Sequence, residues 1–154
     1  MKHSPLQLLR YFVPEMSFSA NQAFNPEKAC ESGNEQFSVE AVVTKQKALE
    51  NFPGHSWSVE MVISQKIKEG QNFPYQFKLT LVGMFACKDG VMTDDIENQF
   101  VRVNGSSMLY GAARELVRLT TTLGPWGEII LPTISFYNKE ATQKEQNAPV
   151  PKAD

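Results

Sequence analysis

The chain has 154 residues and a mass of 17.3 kDa, a length that makes one domain and supports a core without disulfide or metal. Lys plus Arg is 15 and Asp plus Glu is 17, a formal charge of -2, which excludes a global basic field for nucleic acid. Two His (His3, His55) and two Cys (Cys30, Cys87) fit no zinc module, so no metal and no cofactor is expected.

The pattern predicts four strands, each with a wet face. In the first, Leu6 to Ser19, residues Leu6, Leu8, Phe12, Met16 and Phe18 share one parity, and Pro14 marks an edge position or a bulge. Ala20 to Glu35 reads as a long loop of Asn, Gly, Ser, Pro and charge. Gln36 to Lys47 alternates, with Phe37, Val39, Ala41 and Val43 on one side. A turn at Asn51-Phe52-Pro53-Gly54 leads to Trp57–Lys68, where Trp57, Val59, Met61, Ile63 and Ile67 share a face. After a second turn, Tyr75, Phe77, Leu79 and Leu81 alternate until Gly83 ends the clean pattern. The short links make the last three strands a meander.

Lys88 to Asn98 is polar, and helix and loop are both open there. A helix then follows, with Asn104 to Ser107 able to cap its start. Leu109, Ala112, Ala113, Leu116, Leu119 and Leu123 form its apolar stripe, and Gly124-Pro125 stops it. Glu128 to Thr133 suits a short extended segment. Residues 138–154 read as a disordered polar tail, leaving 1–137 as the folded domain. No stretch approaches the ~20 apolar residues of a membrane helix. Arg10 and Glu15 interrupt the N-terminal segment that would otherwise pass for a signal peptide. Two lone cysteines suit a reducing compartment. A cytoplasmic protein with no membrane insertion is expected.

Catalytic chemistry is sparse. Neither His lies in an informative motif, and Cys30 and Cys87 lack the electropositive setting of a reactive thiol. Asp94, Asp95 and Glu97 lack calcium-loop spacing and read as a solvated loop. Glu115 reads as a surface acid paired with Arg118; its service as a base on a helix-on-sheet scaffold is the enzymatic alternative. What remains is aromatic. Phe12, Phe18, Phe24, Phe73, Tyr75, Phe77, Trp126, Phe136 and Tyr137 exceed what one helix on four strands can bury, which favours oligomer contacts or a groove for another chain.

Ser-Met-Leu-Tyr-Gly-Ala-Ala-Arg-Glu-Leu-Val (107–117) resembles the start of the long helix of SecB, the bacterial protein-export chaperone. Leu109, Tyr110, Ala113, Arg114 and Glu115 match, while Gly111 and Ala112 replace the family's Pro-Tyr. Gly124-Pro125-Trp126 is similar to its Gly-x-Phe, and Leu131-Pro132-Thr133-Ile134-Ser135-Phe136 to its Leu-x-Pro-(Val/Ile)-Asn-Phe. Arg10-Tyr11-Phe12, Glu15-Met16-Ser17-Phe18 and Gly83-Met84-Phe85 resemble its first and fourth strands. The resemblance implies an α+β fold, a four-stranded antiparallel sheet packed against one long helix, with the second, C-terminal helix short or absent. It implies a homo-oligomer, a dimer of dimers, and no enzymatic activity. It also implies an ATP-independent holdase that binds unfolded preproteins, or antitoxin-type clients, in apolar grooves. Groove candidates are Phe12, Met16, Phe18, Phe24, Trp126 and Phe136. Glu15 stands at one place where the family docks on the SecA motor, but Ser19 and Lys78 replace expected acids. The alternative is a non-chaperone oligomeric module of the same fold.

Overall fold

In the computed structural model the structure describes residues 3–28, 37–47, 54–88, 90 and 92–137. Cys30, most of the turn at 51–54 and the tail expected over 138–154 lie outside the described residues. Strands β1 (Leu6–Ala20), β2 (Ser38–Gln46), β3 (Gly54–Gln65) and β4 (Tyr75–Lys88) form one antiparallel sheet of order β1-β4-β3-β2. The last three strands make the expected meander, and β1 is an edge.

In β3 and β4 the apolar parity is the parity that is buried. Val59, Met61 and Ile63 of β3 pair with Gly83, Leu81 and Leu79 of β4, and all of these large side chains are fully buried. Strand β4 does not end at Gly83, as the broken alternation suggested; it continues through Phe85 and Cys87 to Lys88. Gly83 is a point of close approach. A Cβ there would lie 2.7 Å from Phe85 Cε2 and 3.2 Å from Leu109 Cδ1, so the missing side chain lets a helix and a ring settle onto the sheet.

The single parity expected along β1 does not survive. The register shifts between Leu8 and Arg10, and again between Phe12 and Glu15, around Pro14. Each extra residue turns the following side chains over. Leu8 opposes Phe85, Met16 opposes Leu79 and Phe18 opposes Phe77, all on the core face, but Phe12 opposes Val82 on the outer face. Directly opposed residues share a face, so Phe12 is separated from the aromatics it was grouped with.

The helical layer begins earlier than the capping residues implied. Helix α1 (Asp94–Phe100) runs through a π-helical stretch, Val101–Gly105, into α2 (Ser106–Thr122). Asn104 and Ser107 cap nothing: Asn104 Nδ2 donates to Phe100 O at 2.9 Å and Ser107 Oγ donates to Val103 O at 2.6 Å. Such side chains bond the preceding turn when a helix continues through them. Glu97, Val101, Gly105, Leu109, Ala113, Val117 and Thr121 are all buried, one residue in four along the whole rod. A four-residue stripe drifts by about 40° per step on an α-helix, and the wider π turn offsets part of that drift. Asp94 and Asp95 are exposed, as expected, but Glu97 is buried at 1% exposure, contrary to the solvated-loop reading. It sits on the stripe that faces the sheet.

Candidate functional site

Beyond the helix the chain turns back along it. Tyr75, first residue of β4, holds the corner: its hydroxyl lies 3.2 Å from Thr121 O and 3.0 Å from Gly127 O, and accepts from the Trp126 backbone N–H at 2.9 Å. A Cβ on Gly124 would fall 2.5 Å from the Tyr75 oxygen, so glycine is required for this approach. Ile129 N–H then donates to Thr121 Oγ1 at 3.0 Å, Arg114 Nε to Leu131 O at 2.9 Å, and Tyr110 Oη to Pro132 O at 2.8 Å. Burial raises the Tyr110 pKa above its ordinary value, so the phenol stays a donor. The segment over 128–133 is thus extended, as expected, but it is tied to α2 by side chains and joins no sheet.

This corner gathers part of the predicted set. The Trp126 indole N–H donates to Asn21 O at 3.1 Å, and the ring meets Phe24 edge-on at 5.4 Å. Trp126 keeps 36% of its surface exposed. Phe18 stacks on Phe77 at 5.1 Å, and Met16, two residues back on the same face, is 51% exposed. A cavity of about 690 Å³ opens beside Phe18 and Phe77, bounded also by Gln65 and Ile67.

Phe136 lies at the other end of α2, edge-on to Tyr110 at 5.9 Å. Tyr110 and Thr121 are separated by about 16 Å of helix at 1.5 Å per residue. Phe136 closes a cavity of about 400 Å³ with Val39, Ala41, Asn98, Arg102 and Ser106. A neighbouring cavity of similar size, about 400 Å³, lies between Phe37 and Val39 of the β2 side and Ile134 of the returning segment. Ser106 Oγ is buried and has no hydrogen-bond partner, and the wall mixes apolar Val39, Ala41 and Phe136 with polar Asn98 and Arg102. The flank of α2 opposite Arg114 and Tyr110 carries Met108 and Leu119, 40% and 55% exposed, and continues to Leu123 just past the helix end, 89% exposed.

The outer sheet face is different in kind. Phe12 is 46% exposed there, with the Arg10 guanidinium carbon 6.0 Å from its ring centre. Glu15, the predicted docking acid, is bonded to Lys78 Nζ at 2.7 Å. The lysine that replaces an expected acid therefore neutralises the acid that remains. Glu115 is solvent-facing and bonded to Arg118 at 3.0 Å, which leaves the enzymatic alternative without a desolvated base. Among the described residues no helix is long and apolar enough to cross a membrane.

Sequence reasoning missed Tyr75 as the corner clamp, the β2 wall of the Phe136 cavity, and Glu97. Only Glu97 carried a signal: it continues the four-residue spacing backward from Leu109.

These features define a class, a helix-on-sheet α+β subunit that presents fixed apolar surface on its helical side. The chain belongs to the SecB family, for the model of the preprotein translocase subunit SecB matches residues 1–147. Chaperones of that family are non-enzymatic, and this chain is not an enzyme. Solved structures that share the fold include two at low sequence identity. One is the Mycobacterium tuberculosis SecB-like chaperone Rv1957 in complex with a ChAD peptide from the Rv1956 HigA1 antitoxin. It is 14% identical, covers 84% of this chain and 91% of its own, and has a TM-score of 0.54. The other is a Streptococcus agalactiae protein of unknown function, 13% identical, covering 83% and 97%, with a TM-score of 0.54. No curated protein matches the chain in sequence.

Proposed function

We propose that the chain is an ATP-independent holdase that captures unfolded polypeptides on the helical side of its sheet and acts in the cytoplasm. One observation carries the reading: Trp126 is fixed by two hydrogen bonds and by Phe24, yet a third of it stays in water. A rigid aromatic held open binds apolar client side chains with little further loss of side-chain freedom. The Trp126–Phe24 pair, with Phe18 and Met16, forms one subsite, and Phe136 with the β2 wall forms another. About five extended residues, at ~3.3 Å each, match the ~16 Å of helix between Thr121 and Tyr110, beside which the two subsites lie. Contacts at both ends then add as avidity, while the apolar contacts give little sequence selectivity.

The exposed Met108, Leu119 and Leu123 flank suits burial against further copies, in keeping with a homo-oligomer built as a dimer of dimers. Pairing of Glu15 with Lys78 weighs against docking on the SecA motor through outer-sheet acids. Clients of the antitoxin kind, as Rv1957 binds, therefore suit this chain as well as export precursors do. In the alternative, a closed oligomeric module buries all of these aromatics. The test is aggregation of a chemically unfolded protein diluted into buffer without nucleotide. A near-stoichiometric amount of the chain should suppress turbidity; no suppression at several-fold excess would reject the holdase.

A further inference from the structure

Away from the client surface, β2, β3, β4 and α1 bring a second set of groups together. His55 Nδ1 lies 2.8 Å from Glu97 Oε2 and 4.0 Å from Asp94 Oδ1. One ligand atom from each of His55, Asp94 and Glu97 falls within a 4.8 Å cluster. The Trp57 indole N–H donates to the other Glu97 oxygen. Cys87 is the cross-strand partner of His55 and is fully buried. Lys45 Nζ sits on Asp94 Oδ1 at 3.0 Å.

Two facts distinguish this cluster from a solvated acidic patch. The Glu97 side chain is only 2% exposed, yet the groups bonded to it are the Trp57 indole, the His55 imidazole and the Cys87 thiol, none of which carries a fixed charge. A buried carboxylate is ordinarily matched by a full cation. The one lysine of the cluster is spent on Asp94, at the rim. Second, the donor set is mixed: one imidazole nitrogen from a strand and two carboxylates from the first turn of a helix. Zinc-like ions hold such ligands at about 2.0–2.2 Å, which places tetrahedral neighbours roughly 3.4 Å apart. The observed 2.8 Å and 4.0 Å from His55 straddle that spacing and need shifts of about half an ångström, while the two carboxylate oxygens lie within 4.8 Å of each other and close up on the ion. His55 is 32% and Asp94 72% exposed, which gives an ion a way in and leaves a position for water.

We infer that His55, Asp94 and Glu97 form a binding site for a borderline divalent cation of the zinc and cobalt kind. The ion neutralises the buried Glu97 and fastens α1 to β3, and Lys45 swings from Asp94 into solvent. This site is independent of client capture.

The test is titration of the metal-stripped full chain with Co²⁺, followed by visible absorption and by displacement with Zn²⁺. Wild type should take up one cobalt at a nitrogen–oxygen site. Asp94→Asn, which removes an exposed ligand and leaves the core alone, should weaken that uptake by about tenfold or more. His55→Ala should do the same, with far-ultraviolet dichroism confirming that both variants are folded. Absence of saturable cobalt uptake up to roughly 1 mM would overturn the inference. So would saturable uptake that Asp94→Asn leaves unchanged, since the ion would then lie elsewhere.

Discussion

At the scale of single residues, Glu97 is a buried carboxylate that joins the helical layer to the sheet. Its carboxylate receives the buried Trp57 N–H and lies against His55, so it ties the first turn of the helical rod to β3. Glu97→Ala strands the indole donor and should cost about 1–3 kcal/mol in urea unfolding. Glu97→Gln, which keeps an acceptor oxygen, should lose less. Cys87 shares this interior. Burial, helped by the charge of Glu97, raises its pKa to about 11, so the thiol remains protonated at neutral pH. In a Cys30→Ser variant, Cys87 should react with a disulfide reagent only when the protein unfolds; rapid reaction of the folded variant would contradict this placement.

At the scale of elements, the corner after α2 is where tertiary contact overrides local pattern. Three contacts converge on the Tyr75 hydroxyl, and Gly124 has no room for a Cβ beside it. Tyr75→Phe should cost about 1–2 kcal/mol and loosen Trp126, which is observable as a change in tryptophan emission of a still-folded protein. An unchanged spectrum and stability would mean that the hydroxyl does not hold the corner. The same elements show what was legible in the chain. The alternation of Val59, Met61 and Ile63 and of Leu79 and Leu81 located β3 and β4 because each buries one face only. The stripe through Leu109, Ala112, Ala113 and Leu116 located α2 for the corresponding helical reason, but Leu119 and Leu123, read as part of it, are exposed, and Val117 and Thr121 are buried in their place. Phe12 is on the other face because the irregularity between Leu8 and Arg10, which no residue type marks, inverts the parity, and the one around Pro14 restores it for Met16 and Phe18. Asn104 and Ser107 misled because the residues that cap a helix can also sit inside one. Of the groove candidates, Phe24 and Trp126 are far apart in sequence, and only the fold of the corner brings them edge to edge.

At the scale of the whole molecule, the two faces of the sheet divide the labour. The outer face carries mostly polar groups, with the Glu15–Lys78 pair and with Phe12 opposite Val82, and an exposed ion pair of that kind contributes only about 0.2–1 kcal/mol. The helical side carries the fixed aromatics, the cavities and the apolar flank of α2. On the proposed function, self-assembly and client capture both draw on that side, so light scattering should give a mass well above one subunit, increased by an unfolded client. A mass of 17.3 kDa in both states would contradict the assembly. The central claim, that clients bind the helical side through Trp126, is tested most directly by fluorescence anisotropy of a labelled, permanently unfolded polypeptide. The account predicts saturable binding to wild type, weakened about tenfold or more by Trp126→Ala and changed less than about twofold by Phe12→Ala on the outer face. Binding that Phe12→Ala abolishes and Trp126→Ala leaves intact would contradict it.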